Sequence, residues 1–216
     1  MEDKTLVELN LCDGIYLTDK GSIHGYLKFY DQLFKMYRNE KINIFEVGYQ
    51  YGGSCELWRK YFPNAYIRSI DIKMWLLPSD DRDGLKLLNR YLHPKEGVTM
   101  QLINIQAIKE DYFTDFKPHI AIDDGSHVLE DQLHFVRTVY PVLADGGILI
   151  VEDLQDWDNQ IMEFDKLGLK FHVVDQRAVT GLYDDVFIYF TKPQIFDTND
   201  CIDHANRFKA NAVLSL

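Results

Sequence analysis

Residues 120–127 read IAIDDGSH, and residues 147–153 read GILIVED. Each stretch is an apolar run that ends abruptly in carboxylates, which is unusual for a buried strand because unpaired charge is costly to remove from water. Neighbouring parallel strands bring their carboxyl ends to one edge of a sheet, so these acidic residues are predicted to lie close together. The residues concerned are Asp123, Asp124, Glu152 and Asp153.

Short runs rich in Ile and Val, bounded by turn residues, are predicted as strands. They cover residues 42–48, 66–72, 98–105, 119–124, 147–153, 170–176 and 184–192. Helix-length segments separate the first five strands, which predicts a parallel sheet with both faces covered. The last two strands are joined by a loop too short for a parallel crossover, so they are predicted to pair antiparallel. Helices are predicted over residues 26–38, 54–61 with Ser54 as N-cap, and 128–143.

Composition favours one globular domain over residues 1–216, with a helical N-terminal segment (1–40) and a short tail (193–216) that contains a helix over 203–213. No apolar stretch reaches the roughly 18–20 residues of a membrane helix. We therefore expect no membrane partner. The N-terminus does not resemble a signal peptide, and the three widely separated cysteines favour a reducing, cytoplasmic location. The net charge of -11 argues against a nucleic-acid partner.

The glycine-rich stretch EVGYQYGGS, residues 46–54, follows the first predicted strand and opens a helix. Its glycine spacing differs from the G-x-G-x-x-G fingerprint of dinucleotide-binding proteins. Glu46 would repel a pyrophosphate but attract a cation, and Asp71, 25 residues further on, can accept hydrogen bonds from both ribose hydroxyls. A ligand with a positive centre, a ribose and no phosphate fits this pattern, which indicates S-adenosylmethionine. Glycines that serve only backbone geometry are the alternative.

The four carboxylates repel one another unless a cation neutralises them. Hard oxygen ligands favour magnesium, calcium or manganese over zinc. Side chains alternate along a strand, so Asp123 and Asp124 are expected to have different roles, one towards the cofactor and one towards the metal. His127 follows the turn and is a candidate general base. This set suits methyl transfer to an oxygen, because a divalent ion lowers the pKa of an alcohol and orients it.

Several stretches together resemble the magnesium-dependent class I sugar O-methyltransferases of macrolide and related antibiotic pathways. They are TDK (18–20), HGY (24–26), EVGYQYGGS (46–54), YFPNAYIRSIDI (61–72), IDDGSH (122–127) and GGILIVEDLQ (146–155). The resemblance implies an α/β class I methyltransferase fold. This is a Rossmann-like three-layer sandwich with a mostly parallel seven-stranded sheet and an antiparallel C-terminal strand.

The same resemblance implies roles for individual residues. His127 is the implied general base, and Mg²⁺ (or Mn²⁺) is held by Asp124, Glu152 and Asp153. The implied S-adenosylmethionine site comprises Glu46, Gly48, Tyr49, Gly52, Ser54, Asp71, Gln106 and Asp123. The sequence around Gln106, INIQAIKE, departs from the family pattern.

An N-terminal motif is implied to lie near the active site, namely Thr18, Asp19, Lys20, His24 and Tyr26. Lys20 is equally well interpreted as a solvated surface charge. The expected acceptor is a hydroxyl of a sugar in a small molecule or glycan. Its site is expected either to be more open than in the family or to be completed by a partner subunit of a homo-oligomer.

Three other functions remain open at this point. A NAD(P)-dependent oxidoreductase would share the sheet but not the glycine spacing. A metal-dependent hydrolase explains the acidic strand ends but not Glu46 with Asp71. A non-catalytic or hydroxylation-associated homologue would bind S-adenosylmethionine without transferring its methyl group.

Overall fold

The computed structural model describes residues 4–12, 14–73 and 96–193 of the 216-residue chain. The helix predicted over residues 203–213 lies outside these ranges, and the division into one domain with a tail stays a prediction. The N-terminal elements are α1 (Leu6–Asn10), β1 (Leu11–Cys12), β2 (Ile15–Tyr16) and α2 (Tyr26–Phe34). The helix predicted over residues 26–38 ends earlier than expected, at Phe34, because the chain continues there as a 3-10 turn.

A seven-stranded sheet forms the centre of the molecule. Its strands are β3 (Asn43–Val47), β4 (Tyr66–Asp71), β5 (Val98–Leu102), β6 (Ile120–Asp123), β7 (Ile148–Val151), β8 (Phe171–Asp175) and β9 (Val186–Thr191). The spatial order is β5-β4-β3-β6-β7-β9-β8. β9 runs antiparallel to both of its neighbours, whereas the pairs among β3 to β7 are parallel. The predicted fold class and the antiparallel pairing of the last two strands are confirmed.

Helices cover the sheet on both faces and make three layers. The remaining helices are α3 (Gly53–Tyr61), α4 (Leu129–Val142), α5 (Trp157–Asp165) and α6 (Arg177–Thr180). One apolar cluster joins α1, α2 and α3 to one face of the sheet and includes Trp58 and Ile120. The other joins α4 and α5 to the opposite face and includes Phe135 and Ala121. Adjacent strand residues thus enter different cores, which is why the strands read as continuous apolar runs. None of the described helices is long and apolar enough to cross a membrane.

The prediction that Ser54 caps α3 is wrong. The helix begins at Gly53, and the N-cap is Gly52, whose φ of 72° is left-handed and gives no side-chain cap. The Ser54 hydroxyl instead donates to Glu46 Oε2 at 2.9 Å. The Ser54 hydroxyl therefore bonds the buried carboxylate of Glu46 instead of capping the helix. Gly52 forms the turn because glycine tolerates a positive φ.

The sheet changes strand order between β3 and β6, and ligands of open α/β sheets bind beyond the carboxyl ends of the strands at such a point. Asp123 is paired with Val47 of β3 on one side and with Val151 of β7 on the other. The residues that follow, Asp124 and Glu152, therefore leave the sheet next to each other. This register places the acidic residues at the edge where the sequence predicts them.

Replacement of Gly48 by alanine is expected to destabilise the fold at this point. Gly48 has a φ of 96°, and a Cβ there would lie 1.9 Å from the backbone oxygen of Asp124. We expect Gly48→Ala to lower the free energy of unfolding by roughly 3 kcal/mol or more, measured by urea denaturation. Gly168 is the matched control, because its φ is 67° and a Cβ there would have no atom within 4 Å. Gly168→Ala should cost only about 1 kcal/mol, and equal losses would contradict the steric explanation.

Candidate functional site

A cavity of about 600 Å³ opens at the carboxyl ends of β3, β4, β6 and β7. Its walls come from the N-terminal segment, the glycine turn after β3, the end of β4, the loop after β5 and the turn after β6. Seven of the predicted site residues line it: Gly48, Tyr49, Ser54, Asp71, Asp124, His127 and Asp153. The other predicted site residues lie behind this wall or beside it: Glu46, Gly52, Gln106, Asp123 and Glu152.

Asp71 forms one side of the cavity and is held by backbone groups. Its Oδ2 accepts a hydrogen bond from the Gln50 amide at 2.8 Å, and its Oδ1 accepts one from the Lys73 amide at 3.3 Å. Gln50 reaches this position through a left-handed backbone with a φ of 47°. The glycine turn therefore curls over the end of β4 and fixes the carboxylate at the cavity wall, and the predicted contact of Asp71 with ribose hydroxyls stays a prediction.

Glu46 lies below the glycine turn and is fully buried. Its Oε2 accepts hydrogen bonds from the Ser54 hydroxyl at 2.9 Å and from the Trp58 indole at 3.2 Å. Burial raises the pKa of this carboxyl to about 7. Glu46 therefore ties α3 to β3 in this structure, and its direct contact with a cationic ligand stays a prediction.

Asp123 and Asp124 diverge, in line with strand alternation. Asp123 is 2% exposed, its Oδ1 accepts from the Gly125 amide at 3.2 Å, and burial raises its pKa to about 7. Asp124 instead lines the cavity. Gln106 reaches the wall indirectly, because its side-chain amide donates to Asp131 Oδ1 at 2.7 Å and Asp131 lines the cavity.

A second side of the cavity combines Asp124, His127 and Asp153. One ligand atom from each of these residues lies within 4.8 Å of the others, and the His127 Nε2 is 3.7 Å from Asp153 Oδ2. His127 and Asp153 have left-handed backbones, with φ values of 58° and 53°. Such a conformation costs on the order of 1–3 kcal/mol for a residue other than glycine, and it is characteristic of functional sites. The arrangement can hold a hard cation, since the carboxylates of Asp124 and Asp153 converge there and supply oxygen ligands.

Glu152 turns away from this cluster into the protein. It is 1% exposed, its Oε1 accepts from the Tyr30 hydroxyl at 2.8 Å, and its Oε2 lies 2.5 Å from Lys20 Nζ. The structure thus groups His127, and not Glu152, with Asp124 and Asp153. The assignment of Glu152 as a metal ligand stays a prediction.

The N-terminal motif contacts the acidic residues directly. Lys20 is 1% exposed, and its Nζ also lies 2.5 Å from Asp124 Oδ2. Burial alone lowers the pKa of this ammonium, but the two neighbouring carboxylates outweigh burial and hold the pKa well above its usual range. The interpretation of Lys20 as a solvated surface charge is therefore wrong. Tyr26 donates to Asp153 Oδ1 at 2.6 Å, and burial raises the pKa of the tyrosine, which keeps it a neutral donor.

Sequence reasoning missed two of these residues. Tyr30 lies in the helix predicted over residues 26–38 and has no predicted role at the site, but its hydroxyl donates to Glu152 Oε1. Tyr26 and Tyr30 stand four residues apart and so share one helix face, and two hydroxyl-bearing aromatics on a buried face indicate a polar partner below. Asp131 lies in the first turn of α4, where an acidic residue is ordinary, so no local signal singled it out.

No family model matches the chain. The chain is 30% identical over 199 residues to a demethylmacrocin O-methyltransferase of Streptomyces fradiae, with 82% of this chain and 46% of that protein aligned. It is 29% identical over 146 residues to the 8-demethyl-8-alpha-L-rhamnosyl tetracenomycin-C 2'-O-methyltransferase of Streptomyces olivaceus, with 64% and 35% aligned. The chain thus spans less than half the length of these curated relatives.

Among solved structures, the fold matches a methyltransferase of the mycinamycin biosynthetic pathway, determined in complex with Mg and SAH. The TM-score is 0.62 at 18% identity, and the match covers 90% of this chain and 56% of that one. At this identity the likeness supports the fold alone. The resemblance predicted from the sequence motifs is confirmed by these comparisons: the chain is related to the sugar O-methyltransferases of macrolide and similar antibiotic pathways.

Proposed function

We propose that this chain is an S-adenosylmethionine-dependent O-methyltransferase that is assisted by a hard divalent cation and acts on a hydroxyl of a sugar. The observation that carries the proposal is one cavity with two chemically different sides. Asp71 stands at one side, and the cluster of Asp124, His127 and Asp153 stands at the other. The first side suits a ribose, and the second suits a cation beside an oxygen nucleophile.

The cofactor would be held mainly by backbone and by Asp71. The turn after β3 brings the chain close to the cavity because glycine at residue 48 leaves no Cβ beside the Asp124 carbonyl. Bound S-adenosylmethionine would supply an activated methyl group. The protein's contribution is to fix the ribose through Asp71 and to hold methyl group and acceptor in line, which accounts for much of the acceleration in such transfers.

The residues at the other side fit Mg²⁺ or Mn²⁺. Two carboxylates supply hard oxygen ligands, and the Nδ1 of His127 is buried with no hydrogen-bond partner within the described structure. Asp124 and Asp153 would hold the ion, whose charge lowers the pKa of a nearby hydroxyl. His127 would accept the acceptor's proton, and the Asp153 carboxylate 3.7 Å away would stabilise the resulting imidazolium.

The acceptor class rests on the relatives. One relative is named for demethylmacrocin, and the other for a rhamnosyl tetracenomycin. The names support a hydroxyl on the sugar of a glycosylated small molecule as the methylated group. Residues from the N-terminal segment, among them Tyr16, Asp19 and Ser22, line the cavity and would contact such an acceptor.

The proposed activity is tested by ligand binding and by methyl transfer. Calorimetry should show binding of S-adenosylmethionine and none of NADH, because the glycine turn lacks the dinucleotide pattern. With S-(trideuteromethyl)-adenosylmethionine, mass spectrometry should find a labelled methyl group on demethylmacrocin or on a related glycoside, and the label should disappear with EDTA. Tight binding of NADH without binding of S-adenosylmethionine would overturn the proposal.

Substitutions at the two sides of the cavity should separate cation and cofactor binding. Asp153→Asn removes a carboxylate but keeps an acceptor for Tyr26, so we expect the Kd for Mn²⁺ to rise about tenfold or more. The Kd for S-adenosylmethionine should stay within about twofold. Asp71→Asn should show the reverse, with a loss of about tenfold in S-adenosylmethionine affinity because a charge-assisted hydrogen bond is weakened. Calorimetry measures both, and parallel losses in either variant would contradict the division.

The proposed role of His127 as the base is tested with a substitution that is compatible with its left-handed backbone conformation. His127→Asn keeps a residue that tolerates a positive φ, so it removes the imidazole with little added strain. We expect kcat to fall about 100-fold or more while the Kd for S-adenosylmethionine is unchanged. His172→Asn is the control, since that histidine lies on β8 and stacks on Tyr189 away from the cavity. Unchanged turnover in His127→Asn would remove this histidine as the base.

A further inference from the structure

Lys20 lies between two strand-end carboxylates that are far from it in sequence. Its Nζ is 2.5 Å from Asp124 Oδ2 and 2.5 Å from Glu152 Oε2. These residues are 104 and 132 positions away along the chain. The ammonium therefore sits where the ends of β6 and β7 converge, although Lys20 belongs to neither strand.

The turn that carries Lys20 is itself fixed in place. The side chain of the buried Asn10 donates to the Thr18 carbonyl and accepts from the Thr18 amide, both at 3.0 Å. Gly21 packs so closely on α2 that a Cβ there would lie 2.4 Å from Leu27 Cδ1. Lys20 thus enters the site from a structured turn between α1 and α2, and its position is built into the fold.

The charges at this site explain why a buried lysine is stable there. Asp124, Glu152 and Asp153 bring three carboxylates to one small volume, and burying an ammonium is costly unless it is paired. Lys20 contacts the first two, and tyrosine hydroxyls donate to the second and third. Lys20 therefore supplies a single positive charge to the carboxylates that a divalent ion would also neutralise.

A lysine in this position changes the affinity of the adjacent cluster of Asp124, His127 and Asp153 for a cation. Two positive charges that share the Asp124 carboxylate repel each other and divide its attraction, so each lowers the site's affinity for the other. Lys20 also donates to Oε2 of the buried Glu152, which does not line the cavity. The opposite role is that Lys20 merely holds Asp124 in position for the cation, in which case its removal would weaken cation binding.

We propose that Lys20 is a built-in counter-cation that competes with the divalent ion for Asp124, and so limits how tightly that ion binds. The inference rests on the proposed function for the presence of a divalent-cation site. Lys20 neutralises the carboxylates before an ion enters, and the incoming ion is left with the cavity side of the cluster, formed by Asp124, His127 and Asp153.

The test compares Lys20→Met with the wild type in Mn²⁺ calorimetry and in thermal unfolding. Lys20→Met removes the charge and keeps the bulk, so the Kd for Mn²⁺ should fall about tenfold or more. Without metal its Tm should fall, because two buried carboxylates lose their partner, and saturating Mn²⁺ should raise its Tm by far more than that of the wild type. Lys20→Arg keeps the charge and should restore the wild-type Kd. Lys166→Met is the control for loss of one charge, because Lys166 is an exposed residue paired with Glu163.

The outcomes separate this inference from the proposed function. If the wild type binds Mn²⁺ and Lys20→Met binds it equally or more weakly, the competing role is wrong and the proposed cation site stands. If neither protein binds Mn²⁺, the proposed cation site fails and this inference fails with it. If Lys20→Met does not fold without metal, Lys20→Gln is used for the Mn²⁺ calorimetry. Both variants are then also refolded in millimolar Mn²⁺. Failure of both variants to fold in Mn²⁺ counts against competition, because the ion should then take over the neutralising role.

Discussion

The structure of the site depends on neutralising the carboxylates that converge at the ends of β6 and β7. The parallel register places Asp123 opposite Val151, so Asp124 and Glu152 follow side by side. The ammonium of Lys20 and tyrosine hydroxyls from α2 offset the repulsion between these carboxylates. The N-terminal segment is therefore part of the site. Its packing on the sheet places Lys20 among the carboxylates, and the contacts of Lys20 in turn hold the segment on the sheet.

The two sides of the cavity are built in different ways. At the Asp71 side, the Gln50 amide of the glycine turn and the Lys73 amide after β4 hold the carboxylate, and Gly48 has no Cβ that would meet the Asp124 carbonyl. At the acidic side, the geometry comes from side chains and from left-handed backbones at His127 and Asp153. Within the described ranges, left-handed residues other than glycine are Gln50, His127 and Asp153, and all three lie in turns that line the cavity.

Two further carboxylates next to the cavity have structural roles in this molecule. Glu46 accepts hydrogen bonds from two side chains of α3, and Asp123 accepts one from the backbone of the turn after β6. Burial raises the pKa of each carboxyl to about 7. The acidic residues at this edge of the sheet thus divide into those that line the cavity, such as Asp124 and Asp153, and those that hold neighbouring elements together.

The sequence by itself determined the strands, their parallel or antiparallel pairing and the acidic edge, because apolar runs and connection lengths are local properties. It also indicated the cavity residues Asp71, Asp124 and His127 from their positions at or just beyond strand ends. Only the tertiary structure decided that Lys20 is buried, that Glu152 faces inward and that Ser54 bonds a carboxylate instead of capping α3. These outcomes depend on the direction of a side chain at a strand end and on partners more than 100 residues away, which local pattern does not encode.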